Sequence, residues 1–364
     1  MRRLLSKNMR ERATVVVAMS GGVDSSVTAA LLVEQGYTVI GLMLRLWAAC
    51  SSQSNRCCTP DSVVAARQVA AQLGIPFYVR DYREPFRRIV VEYFISTYAA
   101  GRTPNPCIIC NERIRFGLLL EEALNLGAQY LATGHYARVR RTEEGAYQLL
   151  RGKDTAKDQS YVLHRLNQWQ LQHVLFPLGD WLKSDVRQKA LCQGLPVYDR
   201  AESQDLCFAG ENGDYRAFIA QYAPHLLHPG PLLDTRGNLL GQHRGLAFYT
   251  IGQRRGLGIA RARPMYVTQL DTARNTVIVG GAEELGRDEL FASEVHYISG
   301  QKPASPVRVT ARIRYKASDV PATLTCLEGD RIHLKFDRPL RDITPGQAVV
   351  FYQGDVVLGG GFIE

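Results

Sequence analysis

The sequence predicts an α/β chain in three parts: a doubly wound parallel sheet, a small β-rich central domain and a C-terminal β-barrel. Three observations carry this. Over the first ~205 residues, short β-rich runs alternate with amphipathic helical stretches. Near Gly210 the texture changes to short apolar runs broken by Pro-Gly, Arg-Gly and Gly-Gln pairs. Beyond about residue 280, alternation of apolar and polar residues dominates. A length of 364 residues gives material for more than one domain. The changes of texture divide the chain at 1–209, 210–280 and 281–364.

The elements follow in order. Residues 1–19 hold a basic stretch and then TVVVA, which runs straight into SGGVDSS without a small-residue cleavage site. This reads as a first strand, 14–19, and not as a targeting segment. Further strands are expected at 38–46, 76–82 and 130–133, with helices at 25–35, 61–73, 85–100 and 111–126. Connections of that length make the strands parallel and the helices crossovers. A polar loop is expected at 51–56. In the last third, Val307, Val309, Ala311, Ile313 and Tyr315 share one face of a predicted antiparallel strand, 307–316. Its other face carries Arg308, Thr310, Arg312, Arg314 and Lys316 with no acidic residue among them, which suits a phosphate backbone better than a solvated edge. Residues 331–337 repeat the alternation with Ile332, Leu334 and Phe336, and Pro-Gly-Gln and Gly-Gly-Gly turns follow, as in a small barrel.

Composition narrows the function. Lys and Arg total 44 against 35 Asp and Glu, a net +9 that makes nucleic acid the first partner to test. Hydrophobic residues make up 46% and charged residues 22%, and no apolar run approaches the ~20 residues of a membrane span, so membrane insertion is excluded. The eight cysteines, Cys50, Cys57, Cys58, Cys107, Cys110, Cys192, Cys207 and Cys326, are spaced irregularly. They fit cytoplasmic thiol chemistry better than a secreted disulfide framework, with Cys50, Cys57 and Cys58 read as loop thiols.

Ser20-Gly21-Gly22-Val23-Asp24-Ser25-Ser26 lies between the first strand and first helix, where backbone N–H groups and the helix N-terminus make an anion site. Gly21 and Gly22 let a phosphate approach, Ser20, Ser25 and Ser26 offer hydroxyls, and Asp24 is placed to hold Mg²⁺ against a pyrophosphate. An ordinary Gly/Ser turn capping a helix is the bland alternative. The chain contains no GxxxxGK[ST], so it is not a Walker-type hydrolase. The loop resembles that of the PP-loop ATP pyrophosphatases, which activate an oxygen by adenylation and release pyrophosphate.

Cys107 and Cys110 form a CxxC in TPNPCIICN, just before a predicted helix whose N-terminus stabilises a thiolate. Cys207 lies far off in SQDLCF; taken alone, such a cysteine reads as a small buried hydrophobe. Together with SGGVDSS, these two stretches, ATGHY (132–136), KDQSY (157–161), TIGQRRGLG (250–258), Arg314-Tyr315 and PGQ (345–347) resemble the tRNA-specific 2-thiouridylases, the MnmA family, over nearly the whole chain. The resemblance implies a fold of the adenine nucleotide alpha hydrolase type. It also implies ATP-dependent sulfur transfer to C2 of the wobble uridine in tRNAs for Lys, Glu and Gln. A persulfide on Cys207, loaded by a sulfur donor protein, supplies the sulfur. Cys110 matches the nucleophile that releases sulfide or closes a Cys110–Cys207 disulfide. ATP contacts map to Ala18, Met19, Ser20, Gly21, Gly22, Val23, Asp24, Ser25, Leu44 and Gly134. Asn105, Pro106 and Cys107 match the segment that meets the base, and His135, Lys157, Asp158, Gln159, Arg314, Tyr315 and Gln347 match tRNA-contacting positions. Cys107 stands where the family has Asp. Cys107, Cys110 and Cys207 are therefore also candidate ligands of a [4Fe-4S] cluster, against a metal-free persulfide route. Two rivals stand beside this reading: a PP-loop ligase acting on a small acid, which needs no paired cysteines, and a non-catalytic tRNA-binding or sulfur-carrier protein.

Overall fold

Three consecutive valines restrict the backbone to extension, and Thr14–Ala18 forms a strand with all three buried. The computed structural model describes residues 13–47, 59–201, 206–209, 214–259 and 263–364. Cys50, Cys57, Cys58, the 51–56 loop and Ser203-Gln204-Asp205 lie outside them. In chain order the first part comprises β1 (Thr14–Ala18), α1 (Val23–Glu34), β2 (Thr38–Arg45), α2 (Pro60–Gln72) and β3 (Phe77–Asp81). Helix α3 runs through Arg83–Phe86, a π segment at Arg87–Val91, and Glu92–Ala99. Helix α4 runs through Pro106–Ile109, a π segment at Cys110–Leu118, and Leu119–Asn125. Then come β4 (Tyr130–Ala132), β5 (Ala137–Arg141), β6 (Tyr147–Arg151), α5 (Gln168–Gln172), β7 (Val174–Leu175) and α6 (Lys183–Cys192).

The order β3-β2-β1-β4-β7 is parallel throughout. Val15 and Val17 pack with Val27 of α1, Ala66 of α2 and Val186 of α6. Val16 packs on the opposite face with Phe86 of α3 and Ile114 of α4. This is the doubly wound arrangement the sequence predicts; the four predicted strands and four predicted helices form within about five residues of their predicted bounds, whereas β7 and α6 are not among the predicted elements. The reversal of strand order between β2-β1 and β1-β4 opens a crevice at the strands' C-terminal ends.

The second part holds α7 (Tyr215–Tyr222), β8 (Gly230–Asp234), β9 (Leu239–His243), β10 (Tyr266–Asp271) and β11 (Thr276–Gly280), with sheet order β10-β11-β8-β9. Its small core contains Leu232, Tyr249, Val267, Val277 and Val279. The third part holds β12 (Arg287–Tyr297), β13 (Val307–Arg312), β14 (Val320–Cys326), β15 (Ile332–Leu340), β16 (Ala348–Gln353) and β17 (Val356–Ile363). The order β12-β15-β14-β13-β16-β17 is closed by pairing of β12 with β17 into a barrel. The β5–β6 hairpin from the first part then extends the same sheet beyond β17, through Val356 opposite Leu150. Among the described residues no helix is long and apolar enough to cross a membrane.

One predicted strand is shorter than expected. β13 ends at Arg312, and residues 313–317 turn, with Ala317 N–H donating to the Arg314 carbonyl at 3.1 Å. The basic face is also not free of acids. Arg308 pairs with Asp337 at 2.7 Å, Arg312 with Asp319 at 2.8 Å, and Arg314 lies 3.9 Å from Asp342. These carboxylates come from β15, two strands away, and from turns, which alternation along one strand cannot reveal.

Candidate active site

The loop between β1 and α1 is locked from several sides. Gly21 has φ +74°, and a Cβ there would collide with the Ser62 carbonyl at the start of α2. Ser20 N–H donates to Ser25 Oγ at 3.1 Å, and the hydroxyls of Ser25 and Ser26 donate to the Gly22 carbonyl at 3.1 and 2.9 Å. Arg200 donates to the Gly21 carbonyl and to Ser62 Oγ, each at 2.9 Å. No side chain caps the N-terminus of the 12-residue α1, so its first-turn N–H groups keep their anion-binding direction.

Asp24 sits in that first turn. Lys183 Nζ lies 2.6 and 2.8 Å from its two carboxylate oxygens, and Tyr136 donates its hydroxyl at 2.8 Å. The Lys183 side chain is 10% exposed and that of Asp24 32%. A Cβ at Gly134, just past β4, would stand 3.0 Å from Asp24 and Ser25, a crowding that glycine avoids where β4's exit closes on the loop. Ala18 through Ser25, Leu44 near the end of β2, and Gly134 thus border one crevice at the C-terminal edge of the sheet.

The cysteine helix reaches the same edge. Arg115 Nη1 of α4 lies 3.4 Å from Nε2 of His135, the residue after Gly134, and His135 Nδ1 lies 2.7 Å from Thr133 Oγ1. Burial, with the Arg115 charge, pushes the His135 pKa down to about 3, so its ring is neutral. Cys110 is buried in the apolar cluster on this side of the sheet, and Leu206 and Cys207 pack against that cluster. Cys110 and Cys207 are both thiols. Cys107, on the first turn of α4 behind Pro106, is exposed. Among the described residues no three His, Cys, Asp or Glu side chains gather as a metal site. Of the three candidate cluster cysteines, Cys107 is exposed, Cys110 buried and Cys207 half-buried.

The remaining expected positions knit the molecule together. Asp158 is buried, accepts from the N–H groups of Gly152 and Ser160 at 3.0 and 3.1 Å, and lies 3.6 and 3.4 Å from Arg151 and Arg312. Gln159 accepts from Tyr136 N–H at 2.9 Å. Gln347 donates to the carbonyls of Thr103 and Pro104, each at 3.3 Å, holding the loop that leads into Asn105 and Pro106. Arg314 donates to the Ile251 carbonyl and to Thr344 Oγ1. Lys157 and Tyr315 are half-buried beside a cavity of about 290 Å³ lined by Thr155, Asp158, Arg312 and Lys316. Sequence reasoning missed Lys183, Arg200, Ser62 and Tyr136. Lys183 lies 159 residues from Asp24, and no local pattern marks it.

Comparison with known proteins bears on this arrangement. Residues 13–211 match the family model described as tRNA methyl transferase HUP domain, residues 216–281 the PRC-barrel domain of the same name, and residues 287–363 the aminomethyltransferase beta-barrel domain. A tRNA-specific 2-thiouridylase MnmA of Moorella thermoacetica is 54% identical over 353 residues, 96% of this chain and 99% of that protein. One from Magnetococcus marinus is 52% identical over 358 residues, 98% of this chain and all of that protein. Among solved structures, a U34-tRNA thiolase NcsA from Methanococcus maripaludis with its [4Fe-4S] cluster is 19% identical, covering 59% of this chain and 66% of that one, at a TM-score of 0.36. So remote a likeness carries nothing about this chain's chemistry.

Proposed function

Because the chain belongs to the tRNA-specific 2-thiouridylase family, we propose that its phosphate loop and two cysteines carry out the ATP-dependent 2-thiolation of the wobble uridine in tRNAs for Lys, Glu and Gln. The chain is a tRNA uridine sulfurtransferase. The observation that supports the site is one chain of contacts: the helix bearing Cys110 touches His135 through Arg115, and the adjoining Gly134 closes on Asp24.

In this reading ATP lies in the crevice with its phosphates on the N–H groups of the Gly21-to-Val23 turn. The uridine C2 oxygen attacks the α-phosphorus, and pyrophosphate leaves. Lys183 and Tyr136 orient the Asp24 carboxylate, whose exposed side fits Mg²⁺. When bound, the ion neutralises charge on the departing pyrophosphate. A donor protein places a persulfide on Cys207. The Cys110 thiolate attacks its inner sulfur, forming the Cys110–Cys207 bond and expelling hydrosulfide; hydrosulfide attacks C2, AMP leaves, and an external thiol reductant restores both cysteines.

Residues 1–209 carry the chemistry, and 210–280 and 281–364 receive tRNA. Exposed Arg254, Arg255 and Lys316 support that assignment. A cytoplasmic reaction fits the tRNA substrate and the use of free thiols. The family model's description names methyl transfer, which forms no pyrophosphate. The test is pyrophosphate release from ATP with and without tRNA, read beside 2-thiouridine. Release that depends on tRNA is expected, and tRNA methylation without it overturns the reading.

A further inference from the structure

The aromatic cluster beneath Cys207 has no part in the chemistry above. Residues 206–209 close as a turn, with Ala209 N–H donating to the Leu206 carbonyl at 3.1 Å. Within the turn Cys207 is half-buried, whereas Phe208 is only 3% exposed. The Phe208 ring lies 4.9 Å from that of Phe218, 5.1 Å from Phe94, 5.8 Å from Phe86 and 6.3 Å from Trp47, edge-on to each. Those rings come from three places: Trp47 follows β2, Phe86 and Phe94 belong to α3, and Phe218 belongs to α7. The same apolar cluster contains Cys110.

A phenylalanine has two side-chain dihedrals, and four ring contacts at these spacings fix both. The ring therefore fixes the turn, and the turn fixes the sulfur one residue away. Thiol–disulfide exchange needs the attacking and accepting sulfurs aligned, and a misplacement of about 1 Å costs up to about 10²-fold in rate. We propose that Phe208 is the positioning residue of the sulfur carrier: its ring, seated among Phe86, Phe94, Phe218 and Trp47, holds the Cys207 turn where the Cys207 sulfur meets Cys110. This rests on the reading of Cys207 as the persulfide carrier. Because α7 supplies one wall of the seat, the second part of the chain helps set where sulfur is delivered.

The test compares wild type, Phe208→Ala, Phe208→Leu and Cys207→Ser in one assay of pyrophosphate and 2-thiouridine, first with a persulfide donor protein and then with inorganic sulfide. With the donor, Phe208→Ala should release pyrophosphate at nearly the wild-type rate while 2-thiouridine per pyrophosphate falls about 10-fold or more. Phe208→Leu should fall between the two. Inorganic sulfide attacks the adenylated carbon without a carrier, so it should restore the ratio for Phe208→Ala and Cys207→Ser alike. An unchanged ratio in Phe208→Ala beside a lost one in Cys207→Ser overturns the positioning role. Equal loss of both products in the two Phe208 variants also overturns it, because a merely structural residue would act that way. Full donor-dependent thiolation by Cys207→Ser overturns the carrier reading itself.

Discussion

Asp24 is the residue on which most of the nucleotide site turns, because its carboxylate is shared by a lysine and a tyrosine from distant parts of the chain. Asp24→Ala should abolish tRNA-dependent pyrophosphate release and leave tRNA affinity nearly unchanged in a binding assay. Lys183→Ala should cost about 10²-fold in kcat/KM for ATP, whereas Tyr136→Phe, which deletes one neutral donor, should cost roughly 5-fold. A Lys183 variant with wild-type kinetics would remove it from the site. His164 gives a pH prediction. It is fully buried, its Nδ1 lies 2.8 Å from the Tyr161 carbonyl, and β17 makes room for its ring with Gly360. Burial pushes its pKa down from 6.5 to about 3. Between those values the unfolded chain binds the proton more readily. Its contribution to stability is therefore intact above pH 6.5 and lost as pH falls toward 3. At pH 5 the loss is about 2 kcal/mol. Denaturant unfolding at pH 7 and pH 5 should show wild type losing about that much more than His164→Gln.

At the scale of single elements, β13 shows what a pattern can and cannot disclose. Its alternation is real, and Val309 and Ala311 enter the barrel core as predicted. Its arginines are another matter. Arg312 lies between Asp158 and Asp319, with its side chain 13% exposed. Arg312→Ala should therefore destabilise the fold by about 3–5 kcal/mol, since it strips a partner from a buried carboxylate, and should leave the salt slope of tRNA binding unchanged. Lys316→Ala should do the reverse, lowering the slope by at most about 1 with little effect on unfolding. Four strands of the parallel sheet were legible because each is a local apolar run between helices; the two-residue β7 was not, being too short to carry a pattern. The phosphate loop was legible because its glycines and hydroxyls are adjacent. Lys183, Arg200 and the Asp158 network were not, because their partners come from remote turns and strands. The β5 sequence ARVRR, basic at three of five positions, conceals a strand whose pairing is supplied by its neighbours.

For the whole molecule, the decisive feature is that the barrel sheet does not stop at the barrel. The β5–β6 hairpin belongs to the first part of the chain yet hydrogen-bonds to β17, and Arg138 reaches Asp355 at 2.7 Å across the same seam. Gln347 and Arg314 tie the barrel to the loop before α4 and to the second part. A chain cut after residue 286 should expose the free edge of the hairpin and self-associate, which light scattering of the fragment would detect, while the full chain at equal concentration stays dispersed. The seam also sets an order of manufacture. About 200 residues separate Arg151 from Val356, so a ribosome adding 5–20 residues per second leaves the hairpin waiting roughly 10–40 s for its last strand. Nascent chains stalled near residue 286 should be cut by protease at 137–151, and released full-length chains should resist. β17 is thus the keystone of synthesis, and the catalytic unit is finished only after a strand made some 200 residues later has emerged.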